Sequence, residues 1–432
     1  MSTFENAERM SRDEMVAVQS ERLRAQVRHA YERIPFYRDA LDARGVRPED
    51  VRSIEDVRLL PFTKKADISA HYPNGLLAVD RRETVRVHSS SGTTGKPINV
   101  FYTRRDLDNW IGCAGRLLRI AGVESSDVCQ IAFRYSLFTG AFGHHRGAES
   151  VGATVIPTSS GQTERQIVMM QDLGTTVLHC TPSYAVVIAE KLEELGLKKG
   201  DLSLRLGIHG AEPMSDPLRD EIQDRLGIRV ARDYGLTELG GPGVSIECPH
   251  QSGYHLNEDF FYPEIIDPES GEPLPEGSRG ELVFTSLAKE ASPLLRYRTR
   301  DISFLTTEPC ACGRTLARHG PILGRSDDML IIGGVNFFPS QVEAVLLAFD
   351  EAAPHYLIRL REENRRTQVA VEVEAEPAFW AARTERSLAD AKKRIEARLK
   401  DLIGFRIDVT LVPPQTVARS EGKAKRVVDE RR

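Results

Sequence analysis

The sequence predicts an α/β protein with a large N-terminal α/β domain, a β-rich subdomain attached to it, and a small α+β C-terminal domain. Three features of the pattern predict this. Strand-like and helix-like runs alternate between about residues 85 and 231. Helical periodicity then vanishes between 244 and 325, where short apolar runs are separated by turn-rich stretches such as DPESGEPLPEGSRG. A strand–helix–strand pattern resumes at about 328. The expected boundary falls within 324–328 and divides the chain into residues 1–326 and 327–432.

Residues 13–45 carry apolar side chains at helical spacing, broken at Pro35, whose ring cannot continue a helix from upstream. The spans 84–87 and 98–102 read as strands on either side of a Ser- and Gly-rich turn. Residues 105–122 read as a helix, 128–133 and 154–156 as strands, 164–173 as a helix, 176–179 as a strand and 183–195 as a helix. A strand at 204–209, a helix at 218–226 and a strand at 229–231 complete an alternation that suits a parallel sheet, whose crossovers run through helices. In the β-rich part, 260–266, 280–285 and 301–304 are the expected strands. The C-terminal part combines a strand at 329–332, a helix at 340–349, strands near 356–361 and 369–373, a charged helix at 387–402 and a strand at 407–412.

With 432 residues, 41% of them hydrophobic, the chain can bury a sizeable core. Its 58 basic and 63 acidic side chains leave a net charge of −5, so bulk charge gives no reason to expect a nucleic acid or an anionic membrane as partner. The N-terminal MSTFENAERMSRDEM is polar and lacks the apolar stretch of a secretory signal. Apolar runs such as 185–189 and 329–332 are far too short to span a bilayer. Six cysteines do not suggest a disulfide framework, so the expected setting is the reducing cytoplasm. The oligomeric state is not legible in the sequence, and a homodimer is compatible with it.

The sharpest local signal is Ser89-Ser90-Ser91-Gly92-Thr93-Thr94-Gly95-Lys96-Pro97. Two close glycines let backbone N–H groups converge on an anion; the hydroxyls of Ser90, Ser91, Thr93 and Thr94 add donors, and Lys96 adds charge. It is not a Walker A loop. Only two residues separate Gly92 from Gly95, and Pro97 stands where that motif needs a hydroxyl for magnesium. A flexible Ser/Gly linker is the bland alternative, but a linker has no need of flanking strands.

This loop resembles one used by the adenylate-forming superfamily of acyl-CoA synthetases, luciferases and peptide-synthetase adenylation domains. Four further segments follow in the superfamily's order: Asp233-Tyr234-Gly235-Leu236-Thr237-Glu238, Tyr297-Arg298-Thr299-Arg300-Asp301, Gly324-Arg325-Ser326-Asp327-Asp328 and Gly422-Lys423. The detail resembles one branch, the phenylacetate–CoA ligases, through Ile34-Pro35-Phe36-Tyr37, Leu60-Pro61-Phe62-Thr63, Leu137-Phe138-Thr139-Gly140, Thr163-Glu164-Arg165-Gln166, Thr181-Pro182-Ser183-Tyr184 and Arg419-Ser420-Glu421-Gly422-Lys423-Ala424. The resemblance runs from about residue 30 to the end; the ordered set is specific, although each piece alone is weak.

The resemblance implies a ligase that adenylates an aryl carboxylic acid with ATP and magnesium, then passes the acyl group to the thiol of coenzyme A. The acid attacks the α-phosphate, so two anions must meet, and the protein must supply cations and aligned donors there. By resemblance, Ser90, Ser91, Gly92, Thr93, Thr94 and Lys96 hold the β- and γ-phosphates, and Lys423, on a mobile C-terminal domain, bridges carboxylate and α-phosphate. Glu238 takes magnesium, with Thr237 on the α-phosphate. Asp301 and Arg325 hold the ribose, and Gly210, Ala211, Glu212 and Pro213 frame adenine with Asp233 and Tyr234. Asp327 is the hinge about which the C-terminal domain would turn, bringing Gly333 and Gly334 toward the thiol.

The acid's wall is expected from Tyr135, Phe138, Gly140, Ala141 and Phe142, since such pockets are mostly apolar. His144-His145-Arg146 departs from the branch, where one histidine matching His145 sits between less polar neighbours. That departure leaves phenylacetate-like, benzoate-like and aminobenzoate-like acids open and admits a polar ring substituent. Cys248, Cys310 and Cys312, with His250 or His255, form a set that suits structural zinc, against the alternative of free thiols; His255 is the expected fourth ligand. Competing functions are loading of a carrier-protein thiol, a nucleotide-binding pseudo-ligase and a P-loop ATPase. Lys423, Glu238 and Asp301 disfavour the second, and the glycine spacing disfavours the third.

Overall fold

In the computed structural model the described residues are 7–90, 97–326, 330–332, 335–363, 366–419 and 426–431. The expectations for Ser91, Gly92, Thr93, Thr94, Lys96, Asp327, Gly333, Gly334 and Lys423 concern residues outside that set. Among the described residues a nine-stranded sheet organises the fold. Thr154–Ile156, Val128–Ile131, Val177–Cys180, Leu206–Gly210 and Arg229–Tyr234 lie side by side and parallel. Ser245–Glu247, Tyr254–Leu256, Arg318–His319 and Leu305–Thr306 extend it antiparallel. The parallel strands Val177–Cys180 and Leu206–Gly210 are buried at every position, as strands covered on both faces must be.

Local chemistry starts and stops the covering helices. Thr103 caps Arg104–Ala121 in a reciprocal box with Asp106, and Gly122 ends it in the left-handed region. Thr181 caps Pro182–Glu194, whose proline sits at the first turn, where its missing N–H costs nothing. The helix Gly140–Val151 has no counterpart in the sequence pattern. Its glycines lower helix propensity, yet they are what let it lie against Arg104–Ala121: a Cβ on Gly147 would stand 2.9 Å from the Ala114 Cβ, and one on Gly143 2.9 Å from the Trp110 ring.

A second, antiparallel sheet orders Phe261–Ile266, Gly280–Ser286, Tyr297–Ser303 and Gly324–Arg325. Its third strand begins four residues before the expected 301, because Arg298 pairs with the buried Glu281 on the neighbouring strand (2.5 Å). The register sets Asp301 opposite Arg325. In the C-terminal part, Asp408–Val412, Arg366–Ala375, Ala352–Glu363 and Val427–Asp429 form a third sheet, with helices Pro339–Leu346 and Glu385–Ile403 closing a core of Val345, Tyr356, Ile358, Val371, Ile395 and Leu399.

A hairpin, Arg86–Ser89 with Asn99–Tyr102, holds the expected phosphate loop. The Ser90 N–H donates to the Ile98 carbonyl (3.0 Å), and the Ile98 N–H to Ser90 Oγ (3.3 Å), so both ends of the loop are pinned. The N-terminal helix Arg12–Arg33 is tied down by a buried polar knot. Arg12 pairs with Glu258 (2.6 Å) and Arg22 with Asp259 (3.5 Å), while Arg116 donates to Asp259 and Asn257, each at 2.7 Å. No helix of the described residues is long and apolar enough to cross a membrane.

Candidate active site

The carboxyl ends of the parallel strands converge on one rim, where open α/β sheets bind ligands. Gly210-Ala211-Glu212-Pro213 leaves the strand Leu206–Gly210 there, beside Asp233 and Tyr234. A Cβ at Gly210 would lie 2.5 Å from the Asp233 carbonyl oxygen, so only glycine lets the two strands approach this closely. Ala211 follows at φ +69°, a conformation that costs a non-glycine residue about 1–3 kcal/mol and that clusters at functional sites. Glu212 accepts from the Ser183 N–H (3.2 Å) and hydroxyl (3.0 Å), which holds the turn against the helix Pro182–Glu194.

The Tyr234 hydroxyl donates to Asp301 Oδ2 (2.7 Å), and Arg325 approaches Asp301 Oδ1 (3.3 Å). Two residues that are far apart in the chain, Tyr234 and Arg325, therefore meet on the buried Asp301 carboxylate. Thr237 and Glu238 lie in the buried turn after Tyr234, closed where Gly235 and Gly241 pack backbone to backbone. Glu238 stands near Tyr297, whose phenol is pushed well up by burial and then by the Glu238 charge.

Beneath the rim run buried histidines that the sequence pattern does not connect. His144 stacks on Phe133 (4.9 Å between ring centres), its Nδ1 meets His179 Nδ1 (3.2 Å), and its Nε2 lies 3.5 Å from Asp233 Oδ2. Burial pushes Asp233 up to about 8 and His144 down to about 3, so each is held toward its neutral form. His209 is held down to about 4 by burial. Its unfolded imidazole takes up a proton near the ordinary 6.5, so stability is full above that pH and is lost as pH falls toward 4. The expected loss through His209 alone is about 2 kcal/mol between pH 7 and pH 5. Urea unfolding at pH 7 and pH 5 checks it: in His209→Gln the acid loss should be smaller by that amount.

Of the expected acid wall, Tyr135 and Phe142 line a cavity of about 230 Å³ together with Leu107 and Ile111. Their rings meet edge to face (5.3 Å), and Phe142 continues to His88 (5.5 Å) on the strand that leads into the loop. The Tyr135 hydroxyl shares a hydrogen bond with His145 Nδ1 (2.9 Å). Phe138 lies against Gly140, where a Cβ would be 2.2 Å from its ring, and Ala141 is fully buried in the core cluster of Ile131 and Phe133. Arg86, Arg104 and Arg146 also line the cavity. The motif His144-His145-Arg146 pointed to the last of these; nothing in the sequence pointed to Arg86 or Arg104, because only the hairpin and the start of helix Arg104–Ala121 bring them to the same wall.

Cys248, His255, Cys310 and Cys312 present ligand atoms that all lie within 4.8 Å of one another. Cys248 Sγ is 3.8 Å from Cys310 Sγ, and Cys312 Sγ is 3.4 Å from His255 Nε2. Two sulfurs about 2.3 Å from a tetrahedral zinc ion would be about 3.8 Å apart, which is the spacing of Cys248 and Cys310. Burial raises the Cys248 thiol to about 12; at Cys310 burial is outweighed by hydrogen bonds, the Cys312 backbone foremost, which bring it down to about 7. His250 is exposed in the turn beyond Cys248 and is not in the cluster.

The chain also matches two family models, "AMP-binding enzyme" over residues 15–288 and "AMP-binding enzyme C-terminal domain" over residues 334–431. It is 48% identical to a phenylacetate-coenzyme A ligase of Thermus thermophilus, across 98% of each chain. It is 46% identical to one of Aromatoleum evansii (99% of this chain, 97% of the other) and 44% identical to one of Escherichia coli (98% and 97%). The chain belongs to the phenylacetate–coenzyme A ligase family. This family member also superposes on 2-hydroxyisobutyryl-CoA ligase in its postadenylation state with 2-HIB-AMP, with a TM-score of 0.92 at 28% identity over 99% of this chain and 92% of that one. Against the same ligase with 2-HIB-AMP and CoA in the thioesterification state, the TM-score is 0.72 at the same coverage. The family member thus adopts the first arrangement.

Specific contacts hold it. His355 Nε2 meets Glu190 Oε1 (2.7 Å), Arg419 lies between Glu190 (3.3 Å) and Glu374 (2.7 Å), and the Ser215 hydroxyl donates to Glu343 (3.1 Å). Glu190, Ser215 and their helices belong to the N-terminal part of the chain, and the partners to the C-terminal part.

Proposed function

We infer that the chain is an ATP-dependent aryl acid–CoA ligase, forming an acyl-adenylate and then its coenzyme A thioester. The observation that carries this reading is identity of 44–48% over essentially the full chain to three ligases of one name. A phenylacetate-like acid suits the aromatic wall of Tyr135 and Phe142. In this reading the turn Gly210–Pro213 with Asp233 and Tyr234 frames adenine, and Asp301 accepts the ribose hydroxyls with Arg325 beside it. The loop from Ser90 to Lys96 holds the β- and γ-phosphates, and Lys423 brings positive charge to the point where carboxylate and α-phosphate meet. Glu238 would hold magnesium, which neutralises phosphate charge, and Thr237 would donate to the α-phosphate. Domains 1–326 and 327–432 turn about Asp327 between the half-reactions, and Gly333 and Gly334 then face the thiol. The reaction belongs in the cytoplasm, and a homodimer is compatible with it.

The test is a screen of aryl acids for pyrophosphate release, with and without coenzyme A. AMP and pyrophosphate with acid alone, and thioester on adding coenzyme A, are the expected products. Release of ADP would overturn the class, and thioester formed only on a carrier protein would change the acceptor.

We also propose that the Cys248–His255–Cys310–Cys312 cluster holds one structural zinc ion, which would cross-link the turn after Ser245–Glu247 to the segment between Leu305–Thr306 and Arg318–His319. Purified protein is expected to contain one zinc per chain by elemental mass spectrometry. Cys310→Ser is expected to lose the ion and roughly 3–4 kcal/mol of stability, the linkage expected for a ligand present at a few hundred times its dissociation constant. A metal-free wild type of unchanged melting temperature would argue for free thiols.

A further inference from the structure

The cavity beside Tyr135 and Phe142 is not lined by apolar side chains alone. Three guanidinium groups line it: Arg86 from the hairpin, Arg104 at the start of its helix and Arg146 from the helix Gly140–Val151. Arg86 lies over the Phe142 ring (5.3 Å), and Leu107 adds an apolar floor. Among the described residues, the only carboxylate paired with these arginines is Glu149, which takes Arg146. Arg86 and Arg104 have no ion pair among the described residues. Burial, then the nearby positive charge of Arg146, lowers the Arg86 pKa. Arg86 is half-buried and Arg104 and Arg146 stand exposed at the rim, and a cleft lined by one sign of charge focuses potential on an incoming anion. Arginine forks bind carboxylate and sulfonate-like oxygens bidentately, and an aromatic floor beside them suits a ring that carries such a group.

The position fits the chemistry. Arg86 and Ser89 are the two ends of one four-residue strand, so the cavity lies roughly 10 Å from the start of the phosphate loop. A ring with its reacting carboxylate toward that loop would put a substituent on its far side among the arginines. We propose that the Arg86–Arg104–Arg146 cavity binds an anionic substituent of the acid, so that the preferred substrate is an aryl carboxylic acid with a second negative charge. This rests on the ligase reading above and narrows it.

The test uses the purified full chain in acid-dependent ATP–pyrophosphate exchange without coenzyme A. The probes are phenylacetate, its ring-carboxylated and ring-sulfonated derivatives, and 4-(aminomethyl)phenylacetate. For the wild type, kcat/KM with at least one anionic derivative should exceed that with phenylacetate by about 10- to 100-fold, the range of a charge-assisted hydrogen bond. Arg86→Gln and the charge reversal Arg104→Glu should each lower that ratio at least about tenfold. Arg104→Glu should also raise the relative kcat/KM of the aminomethyl acid, which a merely unfolded variant cannot do. A wild type that prefers phenylacetate to every charged derivative overturns the proposal and leaves the ligase reading standing. So do variants whose ratio is unchanged but whose KM for coenzyme A rises in the complete reaction, since the anion would then be a coenzyme phosphate. Exchange with no acid at all removes the ligase reading, and this proposal with it.

Discussion

Lys423→Ala is expected to slow acyl-adenylate formation by about 100- to 1,000-fold or more, the usual consequence of removing one preorganised positive donor from a developing charge. Thiolysis of a supplied acyl-adenylate by coenzyme A should be largely intact, because in the proposed cycle that lysine has swung away. The segment that carries Lys423 begins just beyond Arg419, which is anchored between Glu190 and Glu374 at 3.3 and 2.7 Å. Its starting point is therefore fixed against the N-terminal part in the arrangement shared with the postadenylation ligase. Acid-dependent pyrophosphate release and thiolysis, measured separately, check the prediction. Equal loss of both half-reactions would count against a two-arrangement cycle, and Lys425→Ala should leave both nearly unchanged.

Arg116→Leu is expected to cost about 3–5 kcal/mol of stability. Arg116 is almost completely buried and donates to both Asn257 and Asp259. Removing it leaves the buried Asp259 with Arg22, at 3.5 Å, as its ion-pair partner among the described residues, and a poorly compensated buried charge is what makes such a change severe. The melting temperature should fall by several degrees. Adding Asp259→Asn should recover part of the loss, since the stranded charge goes with it. Simple additivity of the two substitutions would show that the pair is not coupled.

Much of the fold was legible because its signals are local. The alternation from 105 to 231 follows from strand and helix periodicity, and observed elements such as Thr163–Leu173 and Val177–Cys180 lie within a residue of the expected spans. The Tyr234–Thr237–Glu238 turn and the Cys310–Cys312 spacing were visible as short motifs. The helix Gly140–Val151 was not, because its glycines serve contact with a neighbouring helix that no local pattern records.

The amino-acid sequence by itself determined the α/β class, the ordered motifs of an adenylate-forming ligase and the set of thiols and imidazole that could hold zinc. Each is a matter of residue type at short range. Only the tertiary structure decided that His255 and not His250 joins the three cysteines, that Tyr234 and Arg325 share the Asp301 carboxylate, and that Arg86, Arg104 and Arg146 face one cavity. Those juxtapositions depend on strand register and helix packing between segments tens to hundreds of residues apart, and burial, which sets the charge state of Asp233 and His209, exists only once the chain has closed around them.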